Sequence, residues 1–252
     1  MKNRRRADAL VFDQGLAESR EKAKSLIMAG RVAIADENGE KIGKPDKPGQ
    51  FFPDSTRFVI LPGKEYASRG AHKLLTILDA SALDIKDFIC VDAGASAGGF
   101  TDCLLQRGAS RVCAIDVGRN LLHEKLRSDP RVISLEGVNL RYADASLVPE
   151  KTDLISADLS FISLTLVLPS LRRWLKPGGK MAVLIKPQFE LSPREVPKGV
   201  VRKEEDRKKA TDKIISFCER ELGLKLEKML PAKIKGPKGN QEYIALFASH
   251  PS

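Results

Sequence analysis

Four polar residues stand where apolar runs begin or end. Asp158 follows the run "LISA" in "ADLSF", Lys186 follows "MAVLI" in "IKPQFE", and Glu242 opens the run "EYIALF". The fourth, Lys73, sits far upstream in "SRGAHKL". Two lysines and two carboxylates converging on one sheet edge could manage a poorly acidic hydroxyl, such as a sugar hydroxyl attacking an electrophilic methyl group. A neutral lysine could take the proton, or an ammonium could steer the oxygen while the carboxylates orient it. Desolvation and a second lysine lower a lysine pKa, whereas carboxylates raise it. The sequence leaves both roles open, and taken singly each residue also reads as an ordinary solvated group at a strand exit.

A second constellation is "VDAGASAGGF", residues 91–100, which follows an apolar run and opens a helical one. Gly94 permits a tight turn, and Gly98 and Gly99 permit close approach of a ligand to backbone at a helix N-terminus. Asp116, 22 residues beyond Gly94, ends the next strand-like run, where a carboxylate can accept from both ribose hydroxyls of a nucleoside cofactor. Nicotinamide dinucleotides and S-adenosylmethionine both fit this arrangement. The GxxxGG spacing departs from GxGxxG and disfavours the dinucleotide. A glycine turn with no ligand is the remaining alternative.

The elements that must carry these residues alternate. "FICVDAG", "RVCAIDVG", "RVISLEG", "TDLISADLS", "KMAVLIKP", "KLEKMLP" and "EYIALFA" read as strands. Helical patterns separate most of them, including "GGFTDCLLQRG", "LTLVLPSLRRWL" and "KEEDRKKATDKIISFCEREL". This predicts an α/β, doubly wound, mostly parallel sheet whose last strand is antiparallel. The first sixty residues differ: two short helices, the second capped by Ser19, then strands "RVAIA" and "RFVIL" around a loop "KPDKPGQFFPDS". The boundaries expected are a small domain at 1–61, a linker at 62–67 and a larger domain at 68–252.

The 43 Lys and Arg exceed the 33 Asp and Glu, for a net charge of +10, which suggests an anionic partner. The excess is uneven, with 17 basic against 9 acidic residues at 176–240. The four cysteines form no CxxC pair, so reduced thiols of a cytoplasmic protein are expected rather than disulfides or a metal site. The start shows no secretory signal. The best membrane candidate, residues 154–171, contains Asp158 and Pro169 and reads better as strand, loop and helix.

"SRGAHKL", "DAGASAGGF", "AIDVG", "ADLSFISL", "LIKPQFE" and "GNQEY", taken in order, resemble the TlyA family of ribosomal RNA 2′-O-methyltransferases. The catalytic domain of that family is related to the FtsJ RNA methyltransferases. The segment "RADAL…GLAESREKAKSLIMAGRVAI" resembles the small RNA-binding domain first seen in ribosomal protein S-four. The resemblance implies a Rossmann-like fold and S-adenosylmethionine as cofactor. It also implies a K-D-K-E tetrad at Lys73, Asp158, Lys186 and Glu242, with Lys186 nearest the reacting hydroxyl. Gly94, Ser96, Gly98, Gly99 and Phe100 would form the cofactor turn, Asp116 would take the ribose, Asn139 would approach the adenine, and Asp158 would border both sites. Arg4, Arg5, Arg6, Arg20, Lys24 and Arg69 would contact RNA phosphates, while His72 packs beside the helix start.

The implied activity is methylation of cytidine ribose in small-subunit, and in some members large-subunit, rRNA; shorter family members, which this length resembles, go with the small-subunit target. The expected partner is ribosomal RNA or a ribosomal subunit, with no metal and no membrane. A non-catalytic RNA-binding or ribosome-assembly protein is the first alternative, and a membrane-active hemolysin the second and less favoured one. The family also carries a historical hemolysin label. Since the sequence shows no signal or span, any haemolysis is expected to be indirect.

Overall fold

The computed structural model describes residues 4–61 and 66–251, so most of the expected linker lies outside the described residues. The chain divides into two compact units, 1–69 and 70–252.

In the first unit, strand β1 (Arg4–Arg6) leads into helices α1 (Ala7–Asp13) and α2 (Arg20–Met28). The Ser19 hydroxyl accepts the Lys22 N–H at 3.0 Å and so caps α2. Strands β2 (Val32–Ala35), β3 (Lys41–Gly43) and β5 (Arg57–Ile60) form an antiparallel sheet in the order β3-β2-β5. Ala7, Leu10, Val11, Ala23, Leu26 and Ile27 lie on the inward faces of the two helices and close a core with Val32 and Phe58. The stretch expected as loop holds one more strand, β4 (Phe51–Pro53), paired antiparallel with β1. Pro53 is tolerated because this two-stranded ribbon needs no donor on its outer edge.

The second unit opens with α3 (Ala71–Ala80) and continues through β6 (Ile89–Ala93), α4 (Gly99–Gln106), β7 (Arg111–Asp116), α5 (Glu124–Arg127), β8 (Val132–Glu136) and β9 (Thr152–Ala157). It ends with α6 (Leu168–Arg172), β10 (Leu175–Ile185), α7 (Pro187–Glu190), α8 (Glu204–Leu222), β11 (Leu224–Pro231) and β12 (Tyr243–Ser249). The seven strands lie in the order β11-β12-β10-β9-β6-β7-β8, with β12 antiparallel to both neighbours and the rest of the sheet parallel. All seven expected strands are present in one Rossmann-like sheet.

The central strands are mostly apolar because helices cover both faces. Met181, Val183 and Ile185 join Ile214 and Cys218 of α8 in one cluster, so the equally buried Ala182 and Leu184 face the opposite layer. The Met, Val, Ile and Leu side chains among these each contribute about 1.5–3 kcal/mol when fully buried. The run expected as one helix at "LTLVLPSLRRWL" is broken into a 3-10 turn, Leu164–Leu166, and α6. Pro169 supplies no N–H, so it is accommodated only in the first turn of a new helix.

Candidate active site

The strand register decides which residues can meet at the sheet edge. Ala93 of β6 pairs with Ala157 of β9, and Ile185 of β10 pairs with Tyr243 of β12. The next residues outward are Gly94 beside Asp158 and Lys186 beside Glu242, along the carboxyl edge where open α/β sheets hold ligands. Lys73 reaches the same edge from the first turn of α3.

The four groups form two ion pairs. Lys73 Nζ lies 2.6 Å from Glu242 Oε2, and Lys186 Nζ lies 2.6 Å from Asp158 Oδ1. Lys186 also donates to Ser160 Oγ at 2.8 Å, a partner the sequence did not single out. Glu242 is fully buried, and its Oε1 packs against Gly236, where a Cβ would lie only 2.0 Å away. A Cβ at 236 would therefore force the Glu242 carboxylate to move.

The segment after Asp158 is pinned by Glu190 of α7. This buried carboxylate accepts from Ser163 Oγ at 2.6 Å and from Leu164 N at 2.8 Å, and Lys213 of α8 stands 3.3 Å away. Within the pinned loop Phe161 adopts φ +64°, is 91% exposed, and sets its ring 5.1 Å from that of Phe189. A bulky residue in the left-handed region is costly, so the loop holds this ring outward against a local preference.

A cavity of about 500 Å³ opens beside the Asp158–Lys186 pair. Its wall includes Gly94, Ser96, Asp116, Asn139 and Asp158, together with apolar Val117, Leu121, Val138 and Ile162. Gly94 has φ +84°, and a Cβ there would meet the Asp158 carbonyl oxygen at 2.6 Å. Ser96 N and Gly118 N donate to the two Asp116 carboxylate oxygens at 2.8 and 2.7 Å, which fixes that group while leaving lone pairs for further donors. Asn139 turns its Oδ1 to the Arg141 N–H at 3.1 Å.

Three expected cofactor residues are not in this wall: Gly98, Gly99 and Phe100. Gly98 does need to be glycine, at φ +88°, but a Cβ there would strike Leu126 Cδ1 at 2.2 Å and Leu122 Cδ1 at 2.8 Å. The close approach assigned to a ligand is made by two leucines around α5. Gly99 and Phe100 are buried in the first turn of α4.

Sequence reasoning passed over Asp92, the acid inside "ICVDAG". Gly98 has no side chain with which to cap α4, and Asp92 does that work from β6, accepting from Thr101 N at 2.8 Å and Thr101 Oγ1 at 2.6 Å. Burial lifts its pKa to about 7, against the opposing pull of the Thr101 hydrogen bonds. An acid in a fully apolar strand was the available signal, because such a group is buried only with partners. The four cysteines are buried too, and burial pushes the thiols of Cys103, Cys113 and Cys218 up to about 12.

In the first unit, the basic residues expected at RNA have partners within it. Arg4 donates to the Phe51 carbonyl at 2.7 Å, Arg5 pairs with Asp13, and Lys24 pairs with Glu21. The buried Asp8 holds Arg6 at 2.8 Å and Arg20 at 3.5 Å. Burial raises the Asp8 pKa, but the Arg6 hydrogen bond and the charges of Arg20 and Arg6 outweigh it and leave it below the ordinary value. The Arg69 side chain lies along Gly30. Each guanidinium has five donors, so these contacts leave others directed outward.

Residues 66–248 match the FtsJ-like methyltransferase family. Over 96% of its length the chain is 41% identical to the 16S/23S rRNA (cytidine-2′-O)-methyltransferase TlyA of Mycobacterium tuberculosis, covering 89% of that protein. It is 38% identical to Hemolysin A of Brachyspira hyodysenteriae over 96% of the chain and 99% of the relative. A solved structure from Streptococcus thermophilus, whose name carries the word hemolysin, superposes with a TM-score of 0.74 at 39% identity. That match covers 100% of this chain and 90% of the other. Among the described residues no helix is long and apolar enough to cross a membrane, and no group of three or more His, Cys, Asp or Glu is placed to hold a metal.

Proposed function

We propose, on the premise that this chain belongs to the FtsJ-like methyltransferase family and is a TlyA-type member of it, that it methylates a cytidine ribose 2′-oxygen of ribosomal RNA. The observation that carries the reading is the double position of Asp158, which both lines the cavity and pairs with Lys186. A ligand in that cavity and a hydroxyl at the tetrad would meet across one side chain.

The cavity suits S-adenosylmethionine. Its size falls within the roughly 300–1,000 Å³ of small-molecule sites. Asp116 offers acceptors to a ribose, and Val117, Leu121 and Val138 offer an apolar slot to a flat base. When bound, that cofactor supplies a methyl group made electrophilic by its sulfonium. As an ammonium Lys186 has three N–H donors; Ser160 takes one, and Asp158 stands 2.6 Å away as the ion-pair partner, which leaves a donor for the incoming oxygen. Transfer to the 2′-oxygen would release S-adenosylhomocysteine, and the hydroxyl proton would pass to solvent while Lys186 steers the oxygen and Asp158 orients Lys186. Lys73 and Glu242 hold the far side of the site. Arg4, Arg5, Arg6, Arg20, Lys24 and Arg69 are proposed to contact phosphates of the RNA, in a protein that acts in the cytoplasm.

Incubation with labelled S-adenosylmethionine and unmodified ribosomal subunits tests this reading. Label is expected in the RNA, as 2′-O-methylcytidine, and is expected to vanish with Lys186→Ala. Normal cofactor binding without labelled RNA would leave the non-catalytic RNA-binding alternative standing. Vesicle permeabilisation by the purified protein would overturn the view that the hemolysin name of its relatives reflects an indirect effect.

A further inference from the structure

Strand β4 carries two adjacent phenylalanines that face opposite ways. Alternation turns Phe52 into the core, where its ring meets that of Phe58 edge-on with centroids 5.5 Å apart, and leaves Phe51 53% exposed. The small core is already closed by Leu10, Val11, Phe52 and Phe58, so packing gives no reason for a second aromatic ring outside it.

The surroundings of Phe51 are basic. The β1–β4 register sets Arg6 opposite Phe51, and Arg4 Nη2 donates to the Phe51 carbonyl at 2.7 Å. A shallow groove of about 590 Å³ is lined by Arg4, Lys47, Gly49, Gln50 and Phe51. Behind Gly49 lies the Arg6 guanidinium that Asp8 holds, 3.2 Å from where a Cβ would stand. Among the described residues no acidic side chain lines the groove; Asp8 is engaged by Arg6 and Arg20, and Asp13 by Arg5.

A flat apolar ring flanked by exposed cations matches a nucleotide, which presents a π-face and an anion a few ångströms apart. An acidic peptide would satisfy the lysine and arginine but give the ring nothing to stack on. We infer that this groove binds one unpaired nucleotide of single-stranded RNA, with its base on Phe51 and its phosphate between Arg4 and Lys47. The inference rests on the reading that the protein acts on RNA, and it names a contact outside the tetrad and its cavity.

Binding of a short fluorescent oligoadenylate to the full chain, titrated at several salt concentrations, tests it. Phe51→Ala is expected to weaken binding about ten-fold with the salt slope unchanged, while Phe51→Tyr retains it and Phe51→Leu does not. Arg4→Ala with Lys47→Ala is expected to flatten the slope by roughly 0.7 for each phosphate that the groove no longer neutralises. A thermal melt checks that the variants remain folded. Oligoadenylate binding that is absent, or indifferent to Phe51, overturns the site even if the protein methylates rRNA. Phe51-dependent binding by a protein that methylates nothing supports the groove and sinks only the enzymatic reading.

Discussion

Lys73 Nζ and Glu242 Oε2 lie 2.6 Å apart although 169 residues separate them in sequence, and the Glu242 carboxylate is fully buried. The partner pair is wetter, with 20% of the Asp158 side chain exposed. The two pairs therefore differ in what each contributes to folding. Removing one partner of a buried pair leaves an uncompensated charge at a cost of about 3–5 kcal/mol, whereas replacing both with apolar groups is often neutral. Lys73→Ala is expected to lower urea stability by that order and to stop methyl transfer. Lys73→Met with Glu242→Leu is expected to recover stability while remaining inactive. A Lys73→Ala protein as stable as the wild type would show that Glu242 does not depend on Lys73.

Glu190 is expected to act through the loop it pins, not on the substrate. Loss of its bonds to Ser163 and Leu164 frees the segment bearing Asp158, Ser160 and Phe161. Displacements of about 1 Å in such a segment can cost on the order of 100-fold in rate. Glu190→Ala should therefore lower kcat by about 10- to 100-fold and also weaken cofactor binding, because the same loop lines the cavity. Glu190→Gln keeps an acceptor for the Leu164 N–H and should recover much of both. Equal losses in the two variants would point to charge rather than positioning.

The sheet was legible in the sequence because its central strands are apolar on both faces and end in polar residues or glycine. Asp158, Lys186 and Glu242 could be picked out for the same reason, since each borders an apolar run. Their pairing could not, because nothing near Lys73 in sequence points to a residue beyond position 240. The leucines beside Gly98 could not be read from sequence, because a left-handed glycine at a helix start looks the same whether a ligand or a pair of leucines fills the space beside it. The β4 strand was hidden by Pro48, Gly49 and Pro53, whose local preferences announce a loop. Asp92 was masked by the glycine turn that follows it, which drew attention away from the helix cap it provides.

Asp92 also predicts a pH dependence. Its folded pKa of about 7 lies above the ordinary aspartate value of 3.8, so between these values the folded state holds a proton that the unfolded state has released. Stability from this group is full below about pH 4 and falls as pH rises towards 7, by at most about 1.4 kcal/mol per pH unit. Asp92→Asn retains an acceptor for Thr101 and removes the titration. Its stability in absolute terms is expected to be lower, since one amide N–H loses water, but its profile between about pH 5 and 7 should be flatter than that of the wild type. Parallel profiles from urea melts across that range would exclude Asp92 as the titrating group.

Phe161 offers the sharpest separation between cofactor and RNA. Its ring is 91% exposed at the mouth of the cavity, held outward by a φ of +64° and steadied on one side by Phe189. If the substrate is RNA, an unpaired base can stack on that ring, an interaction worth about 1–3 kcal/mol by alanine substitution. Phe161→Ala is thus expected to lower kcat/KM for ribosomal subunits by about 5- to 150-fold, and to leave S-adenosylmethionine affinity within about three-fold because the ring only rims the cavity. Phe161→Trp should stay within a few-fold of wild type, since a larger π-face stacks at least as well. Phe161→Gly relieves the left-handed backbone but removes the ring, so it should be as poor as the alanine variant while more stable to heat. Recovery of activity in the glycine variant would show that the loop's backbone, not the aromatic surface, is what the reaction uses.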